Sequence, residues 1–159
     1  MKFDAAKIYI NGKAQHLKLL PSEEIYPIST AKKGFGERIN SEQTPCGWHQ
    51  IAMKIGEGMA ENTVFVGRKA TGEIYDEALA KQYPQRDWIL TRILWLAGLE
   101  EGKNKGGDVD SYQRYIYIHG TPDSEPMGVP RSHGCIRMRN HHIIKLFDQL
   151  EIGDRVFID

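Results

Sequence analysis

Two residues in this chain have the chemistry for covalent catalysis at a useful spacing. His119 opens the segment His119-Gly120-Thr121, and twelve residues separate it from Ser132-His133-Gly134-Cys135-Ile136-Arg137-Met138. A cysteine thiol is a weak nucleophile until it loses its proton, and an unperturbed pKa of ~8.5 leaves only about 3% thiolate at pH 7. A positioned imidazole removes that limit by taking the proton. The local charge points the same way. From Pro126 to Phe147 there is no Asp or Glu, while Arg131, Arg137, Arg139 and Lys145 are all cationic. A positive field favours thiolate and attracts anionic groups.

Other uses of these residues are weaker. A lone cysteine is by default a buried structural one. Cys46, between Pro45 and Gly47, reads as a packed free thiol, since a disulfide to Cys135 would quench the nucleophile. A zinc site drawn from Cys46, His119, His133, Cys135, His141 and His142 lacks the paired ligand spacing of zinc modules. A Cys-x5-Arg phosphate loop is absent, because His141 stands six residues after Cys135. Ser132 reads as a turn hydroxyl, and His133 as a loop-shaping or substrate-contacting group. Arg137 and Tyr117 are candidate substrate-binding residues, although Arg137 could instead brace the loop and Tyr117 could be core. His16, His49, His141 and His142 read as surface or satisfied histidines. No cofactor is expected, and a non-catalytic binding module is the remaining alternative.

These groups need a rigid frame. Lys7–Ile10 and Ala14–Leu19 flank Asn11-Gly12, a hairpin signal. Glu24–Ser29 reads as a third strand, pushed toward an edge by Pro27. Residues 31–45 are polar and glycine-rich and read as a long loop. Trp48–Ile55 alternates cleanly, and Thr63–Gly67 is a short β-branched run. Residues 76–83 could form a short helix before Pro84, and Trp88–Leu96 favours a strand. Residues 100–110 read as a connector or as a flap over the site. Tyr112–Ile118 is a strong strand that leads into His119. Ile143, Ile144, Phe147 and Leu150 are spaced for a helix with Asn140 as N-cap. Arg155–Ile158 is the last strand. About eight strands with one or two short helices predict a mainly β, single-domain sandwich or barrel over residues 1–159.

Composition fits this. The 159 residues are 40% hydrophobic and 26% charged, and 21 basic side chains balance 21 acidic ones. A neutral chain gives no support to nucleic-acid binding. Two cysteines cannot make a disulfide framework.

His119-Gly120-Thr121, a short loop and Ser-His-Gly-Cys-Ile-Arg-Met resemble the signature of the L,D-transpeptidase (YkuD-type) catalytic domain. Tyr26-Pro27-Ile28-Ser29-Thr30-Ala31 is similar to a strand of that family, as is Thr44-Pro45-Cys46-Gly47-Trp48-His49-Gln50-Ile51. The closing Leu150–Ile158 fits as well, so the resemblance runs from about residue 7 to 158. Its one departure is a His119-to-Ser132 gap on the short side. It implies a β-sandwich or barrel-like YkuD fold acting on peptidoglycan stem peptides or muropeptides. In such an enzyme Cys135 would carry a thioester after attack at the L-centre of diaminopimelate, with release of terminal D-Ala. His119 maps to the general base, and Gly120 to the residue whose carbonyl orients it. Gly134, Cys135 and the neighbouring Ser132 and His133 would shape the oxyanion site.

The acceptor is less determined. No membrane segment and no leader are read at the start of the chain, which leads us to expect a cytoplasmic protein. There, water is the natural acceptor, giving an L,D-carboxypeptidase that trims tetrapeptide to tripeptide in cell-wall recycling. The alternative is an exported, periplasmic or wall-located transpeptidase that makes 3–3 cross-links.

Overall fold

The structure is a computed structural model and describes residues 6–159. The first residues, read above as lacking a leader, lie outside the described ones up to residue 5. Ten strands form one sheet: β1 (Ile8–Asn11), β2 (His16–Leu19), β3 (Glu24–Ser29), β4 (Gly47–Ile55), β5 (Thr63–Val66), β6 (Lys69–Ile74), β7 (Ile89–Gly98), β8 (Tyr117–Thr121), β9 (Ile136–Arg139) and β10 (Arg155–Ile158). Helix α1 spans Glu77–Gln82 and α2 spans Asn140–Phe147. The strand order is β4-β10-β1-β2-β3-β9-β8-β7-β5-β6, and β4 also pairs with β7. That pairing closes the sheet into a barrel and removes most of its edges. The hairpin β5–β6 stands outside, hung on β7.

The barrel interior follows from alternation. Ile8 and Ile10 of β1, Leu17 and Leu19 of β2, and Ile118, Ile136 and Met138 of β8 and β9 all point inward and are buried. The amphipathic α2 lays Ile143, Leu146 and Phe147 into the same core. A second, smaller cluster lies on the other face of β7 and β8, where Phe65, Ile93, Trp95 and Tyr117 meet. With both faces covered, β7 is buried along nearly its whole length.

Several local expectations are corrected. Asn11-Gly12 does not form a two-residue turn: Asn11 still pairs with His16, and the connection is four residues long with Gln15 taking the positive φ of 54°. Pro27 does not make β3 an edge strand. Only Ile28 and Ser29 pair with β9, so the missing N–H falls just before that ladder begins. The strand expected from Tyr112 starts at Tyr117, because Tyr115 turns the chain at φ 58°. Asn140 is the first residue of α2 rather than its cap, and its side chain is turned into the barrel wall. Strand β6 was not expected, since its residues are almost all exposed and show no alternation.

Residues 100–110 form a mostly exposed connector anchored at one residue. Asn104 is fully buried and donates to the Cys46 and Trp48 carbonyls, each at 3.0 Å, so it pins the start of β4. Among the described residues no helix is long and apolar enough to cross a membrane.

Candidate active site

Strands β8 and β9 are parallel, with Ile118 opposite Ile136 and His119 opposite Arg137. Side chains alternate across a sheet, so Ile118 and Ile136 fill the barrel. His119, Arg137 and Tyr117 therefore share the opposite face, and Cys135, one residue before β9, packs on that face against the cluster of Phe65, Ile93, Trp95 and Tyr117. Strand register thus places His119 and Cys135 as diagonal neighbours on one surface. The connection between the two strands carries no helix and passes through the Gly/Pro-rich stretch 122–135.

His119 is buried, and its Nδ1 lies 2.6 Å from the Gly120 carbonyl. A carbonyl only accepts, so Nδ1 carries the proton and Nε2 is left with its lone pair. Burial lowers the His119 pKa, against the opposing pulls of the Gly120 carbonyl and Asp87, while Arg137 lowers it further. The imidazole is therefore neutral at pH 7, as a base must be.

The Cys135 thiol donates to the Tyr115 carbonyl at 3.3 Å and accepts from the Tyr117 N–H at 3.3 Å. Burial pushes its pKa up to about 12. The Tyr117 N–H, Arg137 and Arg114 act to lower it, and Asp87 acts to raise it. Burial thus holds both the thiol and the imidazole toward their neutral forms.

The turn before Cys135 is closed by its own side chains. Ser132 Oγ donates to the Cys135 carbonyl at 2.5 Å and accepts from the Gly134 N–H at 3.2 Å. Thr44 Oγ1 donates to the Gly134 carbonyl at 2.8 Å and accepts from the Ala31 N–H at 2.9 Å. Gly134 has φ +134°, and a Cβ there would lie 3.3 Å from the Gln43 carbonyl oxygen. A side chain would be strained at that position. With the Gly134 N–H turned to Ser132 Oγ, the Cys135 N–H is the other candidate oxyanion donor of this turn.

Around this turn, Asp87 links two residues singled out in the sequence. Its Oδ1 accepts from Arg137 Nη2 at 3.0 Å, and its Oδ2 lies 3.3 Å from His133 Nδ1. Arg137 also faces Glu125 at 3.8 Å. Arg137 is buried and braced by carboxylates rather than by loop carbonyls, whereas His133 is exposed. Tyr117 is buried, and its hydroxyl accepts from Arg68 at 3.2 Å.

Two hollows meet at His133. One, of about 250 Å³, is lined by Ile39, Glu42, Arg114, Tyr115, His133 and Cys135. The other, of about 320 Å³, contains Lys32, Arg86, Asp87, Arg131, His133 and Arg137. No residue of 100–110 lines either one. Cys46 is a free, half-buried thiol whose pKa burial raises to about 11. His49 is buried and bonded through both nitrogens, to the Gly47 carbonyl and Ser111 Oγ. Among the described residues no group of His, Cys, Asp and Glu side chains converges as metal ligands would.

Sequence reasoning missed Thr44, Asp87, Arg114 and Asn140. Arg114 donates to the Gly36, Glu37 and Gln43 carbonyls and so holds the loop that walls the Cys135 cleft. None of the four stands near the Cys–His segment in sequence except Asn140. Thr44 was in view only as part of the Thr-Pro-x-Gly element.

Comparison with known proteins fits this geometry. The chain is 28% identical over 137 residues to Bacillus subtilis YqjB, a protein named as an L,D-transpeptidase, covering 86% of this chain and 59% of that one. Over 47 residues it is 47% identical to Escherichia coli YbiS, also named as an L,D-transpeptidase, which is 29% of this chain and 15% of YbiS. The chain thus spans well under two thirds of these relatives. Its fold is shared with L,D-transpeptidase 3 from Mycobacterium tuberculosis carrying a faropenem-derived adduct, with TM-score 0.58 and 14% identity over 98% of this chain and 60% of that one. The Enterococcus faecium L,D-transpeptidase C442S mutant gives TM-score 0.57 and 14% identity over 98% of this chain and 50% of the other. Residues 5–158 match the YkuD model of the L,D-transpeptidase catalytic domain, so this chain, with His119 on β8 and Cys135 just before β9, belongs to the YkuD family.

Proposed function

We propose that this domain is a cysteine acyltransferase acting on peptidoglycan stem peptides, working as an L,D-carboxypeptidase. The observation that carries the proposal is the His119–Gly120 pair: an Nδ1–H fixed on a carbonyl leaves Nε2 as a base on the face where Cys135 sits. Substrate binding turns the thiol from the Tyr115 carbonyl toward Nε2, which takes its proton. The thiolate adds to the carbonyl carbon of the bond between the diaminopimelate L-centre and D-Ala. The Cys135 N–H faces the developing oxyanion, a contact typically worth ~3 kcal/mol. The C–N bond then breaks, the proton passes from His119 to the amine of departing D-Ala, and a thioester remains on Cys135. Water, deprotonated by His119, releases the tripeptide and restores the thiol.

Substrate charge supports the same reading. In the hollow beside the cleft Lys32, Arg86, Arg131 and Arg137 outnumber Asp87 and Glu125, and the net positive lining suits a peptide that ends in carboxylates. The hydrolytic form asks least of the site, since the hollow of about 250 Å³ at Cys135 then holds the donor's end and a water with no second peptide. Soluble stem peptides and muropeptides are then the natural donors.

The test is mass spectrometry of products from a diaminopimelate tetrapeptide, with and without excess amine acceptor and with Cys135→Ala as control. Loss of D-Ala that ignores the acceptor supports the carboxypeptidase. Acceptor-dependent dimers or D-amino-acid exchange replace it with a transpeptidase, and turnover by Cys135→Ala overturns the mechanism. A carbapenem such as imipenem is expected to add its mass to the wild type and not to Cys135→Ala.

A further inference from the structure

The pairing of β7 with β8 breaks beside the candidate base. Leu90 is opposite Gly120, but the next pair is Ile93 with His119, so Thr91 and Arg92 bulge out against the His119–Gly120 step. Thr91 is fully buried at φ +75°. A β-branched residue takes that conformation only where its surroundings over-determine it, and such sites cluster near functional groups.

The surroundings here are a closed polar network. Thr91 Oγ1 donates to Asn140 Oδ1 at 2.5 Å and accepts from the Asn62 N–H at 3.0 Å. Asn140, 1% exposed, donates from Nδ2 to the Thr121 carbonyl at 2.9 Å and to Asn62 Oδ1 at 3.0 Å. The carboxamide also presses on Gly120. A Cβ there would overlap Asn140 Oδ1 and come within 2.6 Å of the Leu90 carbonyl oxygen. The Gly120 peptide is therefore gripped on one side by the bulge and on the other by the start of α2, while its carbonyl holds His119 Nδ1.

We infer that Thr91 and Asn140 are positioning residues that lock the Gly120 carbonyl and thereby hold His119 in its Nδ1–H tautomer. The inference rests on the reading of His119 as the base. Neither residue touches substrate; both act through Gly120. The side chains of Thr91, Asn140 and Asn62 satisfy one another, and a buried network of that kind fixes a single arrangement, here where a single imidazole tautomer is required.

The test uses 15N-histidine-labelled full chain, with ring-nitrogen chemical shifts reporting the His119 tautomer without substrate. In the wild type the pure Nδ1–H form is expected. Thr91→Val removes the hydroxyl and keeps the shape; it should give a tautomer mixture and lower kcat for D-Ala release about 10- to 100-fold with KM within twofold. Thr91→Ser, which keeps the hydroxyl, should restore the wild-type ring shifts and at least half of kcat. A folded Thr91→Val with unchanged shifts overturns the inference. If that variant does not fold, Asn140→Asp keeps the acceptor for Thr91 and removes the donor to Thr121, and the same quantities are read. Failure of both to fold assigns the network to stability and overturns the positioning role. Because the tautomer is read without turnover, a domain inactive on stem peptides refutes the proposed function and leaves this test intact.

Discussion

Arg137 and Asp87 form an ion pair, Nη2 to Oδ1 at 3.0 Å, in which the arginine side chain is 8% exposed and the aspartate side chain 46% exposed. Through it the segment before β7 is tied to the strand that follows the cysteine. The pair also sets the charge seen by sulfur, because Asp87 raises the Cys135 pKa and Arg137 lowers it.

Asp87→Asn removes the group that opposes thiolate formation and leaves Arg137 in place. The rate of Cys135 alkylation by iodoacetamide, followed by intact mass against pH, should shift to lower pH. The substitution should cost about 1 kcal/mol in urea unfolding, since one partner of the pair is solvent-exposed.

Arg114→Gln acts in the opposite direction. Arg114 lowers the Cys135 pKa and holds the loop wall through three carbonyls. Alkylation should move to still higher pH than in the wild type, whose thiol burial already pushes up. The KM for a stem peptide should rise as the wall loosens.

Stability should fall in mild acid. Burial holds His49 at a pKa of about 4, against ~6.5 in the unfolded chain. Between those values the unfolded state binds the extra proton, so stability present above pH ~6.5 is lost as pH falls through about 4. The loss from this residue reaches about 3 kcal/mol at its largest. Urea unfolding at pH 7, 6, 5 and 4 reads it, and His49→Gln should flatten part of the slope. His119, also depressed by burial, supplies a further part with the same sign.

Asn104→Ala should destabilise the fold without touching the chemistry. The substitution removes donors to the Cys46 and Trp48 carbonyls and an acceptor for the Glu100 N–H, all at a buried site. A loss of about 2–4 kcal/mol is expected, with kcat for D-Ala release unchanged at temperatures where the variant is folded. A fall in kcat at constant stability would show that residues 100–110 act on the site.

Much of this was legible in the sequence because alternation and glycine-rich turns are local signals. Strand β4, the long β7 and the short α1 stand where the pattern placed them. The Cys–His segment announced itself through residue type and spacing. Strand β9 did not: Ile136 and Met138 alternate with Arg137 and Arg139, but four residues are too few to read as a strand inside a chemical motif. The roles of Asp87, Arg114 and Thr44 were illegible for a different reason. Each acts across tens of residues of chain, and such contacts are created by barrel closure. Asn140 looked like a cap because asparagine favours helix starts, and tertiary contacts claimed its carboxamide instead.

The parallel pairing of β8 with β9 separates two lengths that a sequence motif appears to join. The gap between imidazole and thiol is set by hydrogen-bonded rungs two residues deep, whereas the peptide running from Thr121 to Ile136 only has to cross back to the opposite end of the ladder. That return can be lengthened or trimmed without moving either reacting group. Divergence can therefore remodel the mouth of the cleft, and with it the choice of peptide, while the machinery beneath keeps its dimensions.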